Sequence, residues 1–155
     1  KLQMAVNRFP IQLVGVGAGL AYDDSGPTHN ALEDLSIIRA LPGIDVITPS
    51  DNNMTAWYGH NSISTKNPTL YRLDRAYAPL YNTDTDFSAG CKILATGSVM
   101  IVANGIMVHR ALKVKEQLKA LGYEIGVCDA YKLPLDNSDL GNALNSAEKI
   151  ISLEE

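Results

Sequence analysis

His29 lies in the stretch SGPTHNALEDL (residues 25–35), directly behind a Gly-Pro-Thr turn and in front of an amphipathic run. That order puts it on the carboxyl side of a parallel sheet, the side on which open α/β sheets bind ligands. A helix starting beside it would disfavour the imidazolium and keep the ring neutral, able to donate from one nitrogen and accept at the other. Such a ring can polarise an oxygen or shuttle a proton. A histidine that merely caps or packs is the reading that position alone leaves open.

TLYRLDR (69–75) sets Arg75 at the carboxyl end of a strand. A guanidinium there can grip a phosphate or carboxylate through paired hydrogen bonds; an ion pair with Asp74 or Asp51 is the competing reading. Arg72 faces the opposite side if the strand continues. GVGAGL (15–20) begins like a dinucleotide fingerprint, but Leu20 stands where the third glycine belongs and no helix follows at once. Its glycines instead let a loop pass close to a bound group or another subunit. His60 and His109 read as solvated helix faces. Asp23, Asp24 and Asp34 have no second ligand group at matching spacing, so no metal site is expected. Neither a Ser-His-Asp pattern nor a Walker-type loop can be placed.

Thirteen basic and seventeen acidic residues give a formal charge of −4, and no Lys/Arg cluster stands out, which argues against a nucleic-acid surface. No apolar run approaches the ~18 residues of a membrane span, and no signal peptide is visible. Cys91 and Cys128 lie far apart beside or within apolar runs. They read as small buried hydrophobes of a reducing, cytoplasmic compartment rather than as a disulfide or metal framework. The chain opens at Lys1 without an initiator Met, as a part of a longer chain would.

The elements that must position these residues alternate strand and helix. PIQLVGV (10–16) is a continuous apolar run, which predicts a strand buried on both faces. A loop leads to a helix predicted over about 30–40, where Asn30 and Glu33 have capping-box spacing and Thr28 is a rival cap. Pro42-Gly43 stops it. A strand over 45–48, a helix over 51–64 presenting Met54, Trp57 and Tyr58, and a strand over 69–73 follow. NTDTDFSAG (82–90) is polar, acidic and without periodicity, a linker. Beyond it come a strand over 92–96, a helix over 104–121 with Gly122 behind it, and a strand over 124–130. Leu133–Asp136 turns the chain into a helix over 138–147, and 149–153 is a last strand. The fold class is α/β: two incomplete parallel-sheet, three-layer units, residues 1–81 and 91–155, joined by 82–90. Terminal strands would be unpaired edges, so missing neighbours are expected.

GAGLAYDDSGPTHNALEDLSIIRALPGIDVITPSD (17–51) resembles the pyrimidine-binding domain of transketolase-like, thiamin-diphosphate-dependent enzymes. The GPTH turn, the helix ending in RALPG and the VITPSD strand and turn match in order and spacing. TLYRLDR resembles the strand carrying a substrate-phosphate arginine. KILATGSV (92–99), YEIGVCDAYKLPLD (123–136) and KIISLEE (149–155) are similar to the first half of the C-terminal domain.

The resemblance implies two units of the transketolase type: residues 1–81 the C-terminal part of a pyrimidine-binding domain, and 91–155 the first part of a transketolase C-terminal domain. It implies ketol transfer between sugar-like substrates, with His29 catalytic through substrate oxygens and Arg75 holding a far phosphate. Asp24 and Ser25 fall on the substrate side and Gly17 on the cofactor side. Thiamin diphosphate and Mg²⁺ would be held mainly by residues outside this segment, since no Gly-Asp-Gly motif occurs here. Sugar transketolases carry a histidine where this chain has Gly17, and an aspartate where it has Ser25. Those differences fit the split, two-subunit members, with an N-terminal section or subunit for a partner in a homo- or hetero-oligomer, at least a dimer. A 2-oxoacid dehydrogenase β-subunit-like or deoxyxylulose-phosphate-synthase-like enzyme is the near alternative, and a non-catalytic assembly module with a decayed site the distant one.

Overall fold

A computed structural model describes residues 1–75, 77–135 and 138–155. The first sheet has the order β1-β3-β2-β7, with strands β1 (Gln12–Val16), β2 (Asp45–Ile47), β3 (Thr69–Leu73) and β7 (Lys132–Leu133). The second has the order β4-β6-β5-β8, from β4 (Lys92–Ala95), β5 (Val99–Ala103), β6 (Ile125–Asp129) and β8 (Lys149–Leu153). Helices α1 (Asp34–Arg39), α2 (Asn52–Asn61), α3 (Ile106–Lys119) and α4 (Ser138–Asn145) connect them. The α/β layering is as expected, but each sheet is mixed: β7 runs antiparallel to β2, and β4 antiparallel to β6.

Local chemistry explains most boundaries. Asp51 caps α2 by accepting the Met54 N–H at 2.8 Å, and the helix buries Met54 and Tyr58. Gly122, at φ +84°, ends the α3 segment in the left-handed conformation that a side chain would resist. Under α3, Val108 and Ala111 pack on Ile101 and Val127 of the central strands. VMIVA (99–103), not foreseen as a strand, is the central β5, paired on both edges.

Two expectations are corrected. β1 is an edge strand with its far side uncovered, so Val14 and Val16 are 62% and 58% exposed instead of buried on both faces. The helix expected from 30 starts only at Asp34, because Gly19 and Ala31 exchange backbone hydrogen bonds at 2.9 and 3.3 Å and draw that segment into a bridge. Within the stretch 82–90, Phe87 is 1% exposed and sits edge-on to Tyr81, Trp57 and Tyr131. Asp136 of the expected turn lies outside the described residues.

That aromatic cluster packs on the first sheet where the chain crosses from β6 to β7. Ile47, Met54, Tyr58 and Tyr71 come from the first half of the chain, and Tyr131 from the strand region that crosses back as β7. Beside it runs a buried polar network. Asp129, at the carboxyl end of β6, accepts hydroxyl hydrogen bonds from Ser50 and from Tyr81, the latter at 2.7 Å. His109 of α3 donates from Nε2 to the Ser50 carbonyl at 2.6 Å, so it is a half-buried bridge between the units and not a solvated helix face.

Candidate functional site

The candidate residues gather around a side chain that the sequence did not single out, Tyr22. It sits just ahead of a tight turn of 3-10 geometry, Asp23–Ser25, in the loop after β1. The Arg75 guanidinium lies over its ring, with Cζ 4.8 Å from the centroid, and the His29 ring stands 6.3 Å away at a tilt. Gly17 lies against the same ring. A Cβ at Gly17 would come within 2.1 Å of the Tyr22 ring, and its φ of +92° would strain any side chain. Gly17, His29 and Arg75 are therefore brought together through one aromatic plane. Asp24 and Ser25, both exposed, form the turn beside it.

Each side chain is held by short-range contacts. His29 closes the Gly-Pro-Thr turn through its N–H to the Gly26 carbonyl at 3.0 Å, and Nδ1 pairs with the Thr28 hydroxyl at 2.9 Å. The ring is exposed, and since α1 begins at Asp34, the helix-end argument for an uncharged imidazole loses its basis. Arg75 donates from Nη1 to the Ala21 carbonyl at 3.2 Å. Neither ion pair considered for it forms: Asp74 Oδ1 accepts the Arg75 backbone N–H, and Asp51 is occupied by N–H groups of Met54, Leu80 and Tyr81. Arg72 is instead the paired arginine, buried and bonded to Asp34 Oδ2 at 2.7 Å and to the Glu155 carbonyl at 3.0 Å. Nothing in the periodicity of YDDSGPTH marks Tyr22; only its place between an apolar strand and a histidine turn hints at it.

Sequence comparison decides the family. The profile of the transketolase pyrimidine-binding domain matches residues 1–79, and that of the transketolase C-terminal domain matches residues 91–155. The chain belongs to the transketolase family. It is similar to one of the subunits of the apulose-4-phosphate transketolase of Phocaeicola vulgatus (29% identity over 160 residues, all of this chain and 51% of that protein). Human transketolase shares 30% over 158 residues, 97% of this chain and 25% of that protein. The solved structure of a split-gene transketolase, an inactive β4 tetramer, superposes with a TM-score of 0.85 at 29% identity, covering 98% of this chain and 50% of that one. The chain thus spans about half of its subunit-type relative and a quarter of the human protein.

Family membership makes thiamin diphosphate the cofactor to test against these residues. The cofactor's diphosphate needs a cation held by acids or amides, and among the described residues no three His, Cys, Asp or Glu side chains meet to hold one. The place beside Gly17 where part of a ring could enter is filled by Tyr22. A cavity of about 200 Å³ remains between Val16, Ala31 and Leu70, with the Arg72–Asp34 pair among its lining. It is too small for the whole cofactor, and its one carboxylate, Asp34, is taken by Arg72. These residues do not by themselves fit the cofactor. Among the described residues, no helix is long and apolar enough to cross a membrane.

Proposed function

We propose that this chain supplies the substrate-facing side of a thiamin-diphosphate-dependent transketolase-like enzyme that moves a two-carbon ketol unit between sugar-like substrates. The convergence of His29 and Arg75 on Tyr22 supports this reading most directly, since it pairs a hydrogen-bonding ring with an anion-binding guanidinium at the carboxyl ends of β1 and β3. His29 serves as the catalytic residue, hydrogen-bonding oxygens of the substrate where negative charge develops. Arg75 takes the anionic end of the substrate, and Asp24 and Ser25 its hydroxyls. Gly17, whose missing side chain makes room for the Tyr22 ring, marks the side of the loop turned to the cofactor. The cofactor and its Mg²⁺ are carried by an N-terminal section or subunit, in an oligomer of at least two chains working on carbohydrate in the cytoplasm. Residues 1–81 act as the C-terminal part of the pyrimidine-binding domain, 82–90 as a linker, and 91–155 as the first part of the C-terminal domain.

The test combines the full-length protein with a candidate N-terminal partner, thiamin diphosphate and Mg²⁺, and screens ketose donors against aldose acceptors. Ketol transfer is expected, with His29→Ala lowering kcat/KM by ~10²–10⁴. Transfer at the parent rate by the alanine variant would remove His29 from the chemistry. Absence of transfer from every donor would overturn the enzyme reading in favour of an assembly module.

A further inference from the structure

Arg75 shares a cavity with a second arginine that comes from the other sheet's helix. The cavity, of about 580 Å³, lies between Leu20 and Ala21 of the loop after β1, Asp74 and Arg75 at the end of β3, and Ile106 and Arg110 in the first turns of α3. Both arginines are exposed. Ion pairs among the described residues join Arg72 to Asp34, Lys115 to Glu116 and Lys132 to Asp45, so neither cavity arginine has a described carboxylate within pairing distance. Asp74 and Glu155 also reach the wall. The Asp74 carboxylate is engaged by the Arg75 backbone N–H at 2.6 Å, and the Glu155 side chain packs against Gly19. Two exposed guanidinium groups on one cavity wall, neither held in a described ion pair, keep fork donors available to an anion that enters.

The fork geometry narrows the anion. A carboxylate presents its two oxygens in one plane, whereas the three terminal oxygens of a phosphate monoester are spread tetrahedrally and can meet guanidinium forks from two directions. Arg75 is set for this by its stacking on Tyr22 and its bond to the Ala21 carbonyl, which engages only one of its donors. Arg110 is held on a helix of fourteen residues whose N-terminus, at Gly105, has no side-chain cap. That end adds positive potential beside Ile106 on the cavity wall. We infer that Arg110 is a specificity-determining residue, gripping a phosphate monoester jointly with Arg75 so that the C-terminal unit helps select phosphorylated substrates.

The inference rests on the proposed ketol-transfer reading only for the identity of the substrate, and the experiment separates the two. In the reconstituted enzyme, acceptors with and without a terminal phosphate are compared for the parent, Arg75→Gln, Arg110→Gln and the double variant. Each single change is expected to lower the preference for the phosphorylated acceptor, as a ratio of kcat/KM values, by about tenfold or more. The double variant should lose less than the product of the two, since both arginines serve one anion. A preference unchanged by Arg110→Gln but reduced by Arg75→Gln overturns the inference and leaves the substrate role of Arg75 standing; no change in either removes both. Should no ketol transfer be found, inorganic phosphate titrated into the full-length protein gives an independent reading. Saturable shifts of the arginine Nε–H NMR signals that are lost in both single variants support the shared site, and unshifted signals overturn it.

Discussion

Asp129 makes the sharpest prediction, because its carboxyl is fully buried and only half satisfied. Oδ2 takes the hydroxyls of Ser50 and Tyr81, while Oδ1 has no partner among the described residues. Burial pushes this carboxyl up to about 7, against the pull of the two hydroxyl hydrogen bonds and with a small push from the nearby Asp51 charge. An aspartate in the unfolded chain titrates near about 3.9. Between those values the folded chain holds a proton that the unfolded chain has released, so stability falls as pH rises through that window and is level above it. The separation is about three pH units at roughly 1.4 kcal/mol each, which sets an upper bound of about 4 kcal/mol lost by pH 8. Tyr81 and Tyr131 are pushed upward by burial and stay neutral throughout the window. Asp129→Asn keeps the shape and an oxygen for the two hydroxyls but cannot ionise. Urea denaturation of parent and variant at pH steps from 4.5 to 8 should show the variant gaining on the parent by about 3 kcal/mol across the range. A gap constant to within about 1 kcal/mol would refute the reasoning, since the pH dependence would then arise elsewhere.

Tyr22→Leu removes the plane under Arg75, worth about 0.5–1 kcal/mol at an exposed site, and should raise KM for a phosphorylated acceptor about two- to fivefold in steady-state assays. An unaltered KM would mean that Arg75 is oriented by its bond to Ala21 alone. Arg72→Met strips a buried guanidinium from Asp34, whose side chain is 26% exposed, so the loss should fall below the range for a fully buried pair, at about 2 kcal/mol, read from the urea midpoint. Adding Asp34→Leu should restore much of it, and a double variant no better than the single one would show that the Arg72 bond to Glu155 matters more.

How far the sequence spoke depended on whether a segment's structure is decided locally. The boundaries of β3 and β8 are those expected from TLYRL and KIISL, both short runs rich in β-branched or aromatic residues. The cap of α2 is equally local, one carboxylate three residues from the N–H it satisfies. Where a distant partner intervenes, the pattern misleads. Asn30 and Glu33 have the spacing of a capping box, yet pairing of Ala31 with Gly19 claims the backbone first. VMIVA falls between the strand expected over 92–96 and the helix expected from 104, and pairing with β6 and β8 makes it a central strand. Lys132 and Leu133 become a strand only because β2 offers an edge. At the candidate site, His29 and Arg75 were legible from residue type and position, whereas Tyr22 was not, since its importance lies in how the folded loop sets Gly17 and His29 against its ring and in Arg75, which comes from the end of β3.

Those distant contacts also tie the candidate site to the junction. Asp51 does two tasks with one carboxylate: Oδ1 caps α2, and Oδ2 accepts the N–H groups of Leu80 and Tyr81 at 3.0 and 2.8 Å. Tyr81 then reaches Asp129 through its hydroxyl, and Asn53 of α2 donates to the Tyr81 carbonyl at 2.7 Å. At the other end of the same connection, the Asp74 N–H is held by the Tyr77 hydroxyl at 2.6 Å, directly before Arg75. The two ends of the segment leaving β3 are therefore held by side chains. Because Ser50 is shared by Asp129 and His109, the helix that carries Arg110 is anchored to the same point. The spacing of the two cavity arginines thus depends on a buried polar junction whose central carboxyl changes charge near neutral pH. Stability and anion recognition should consequently respond to the same titration.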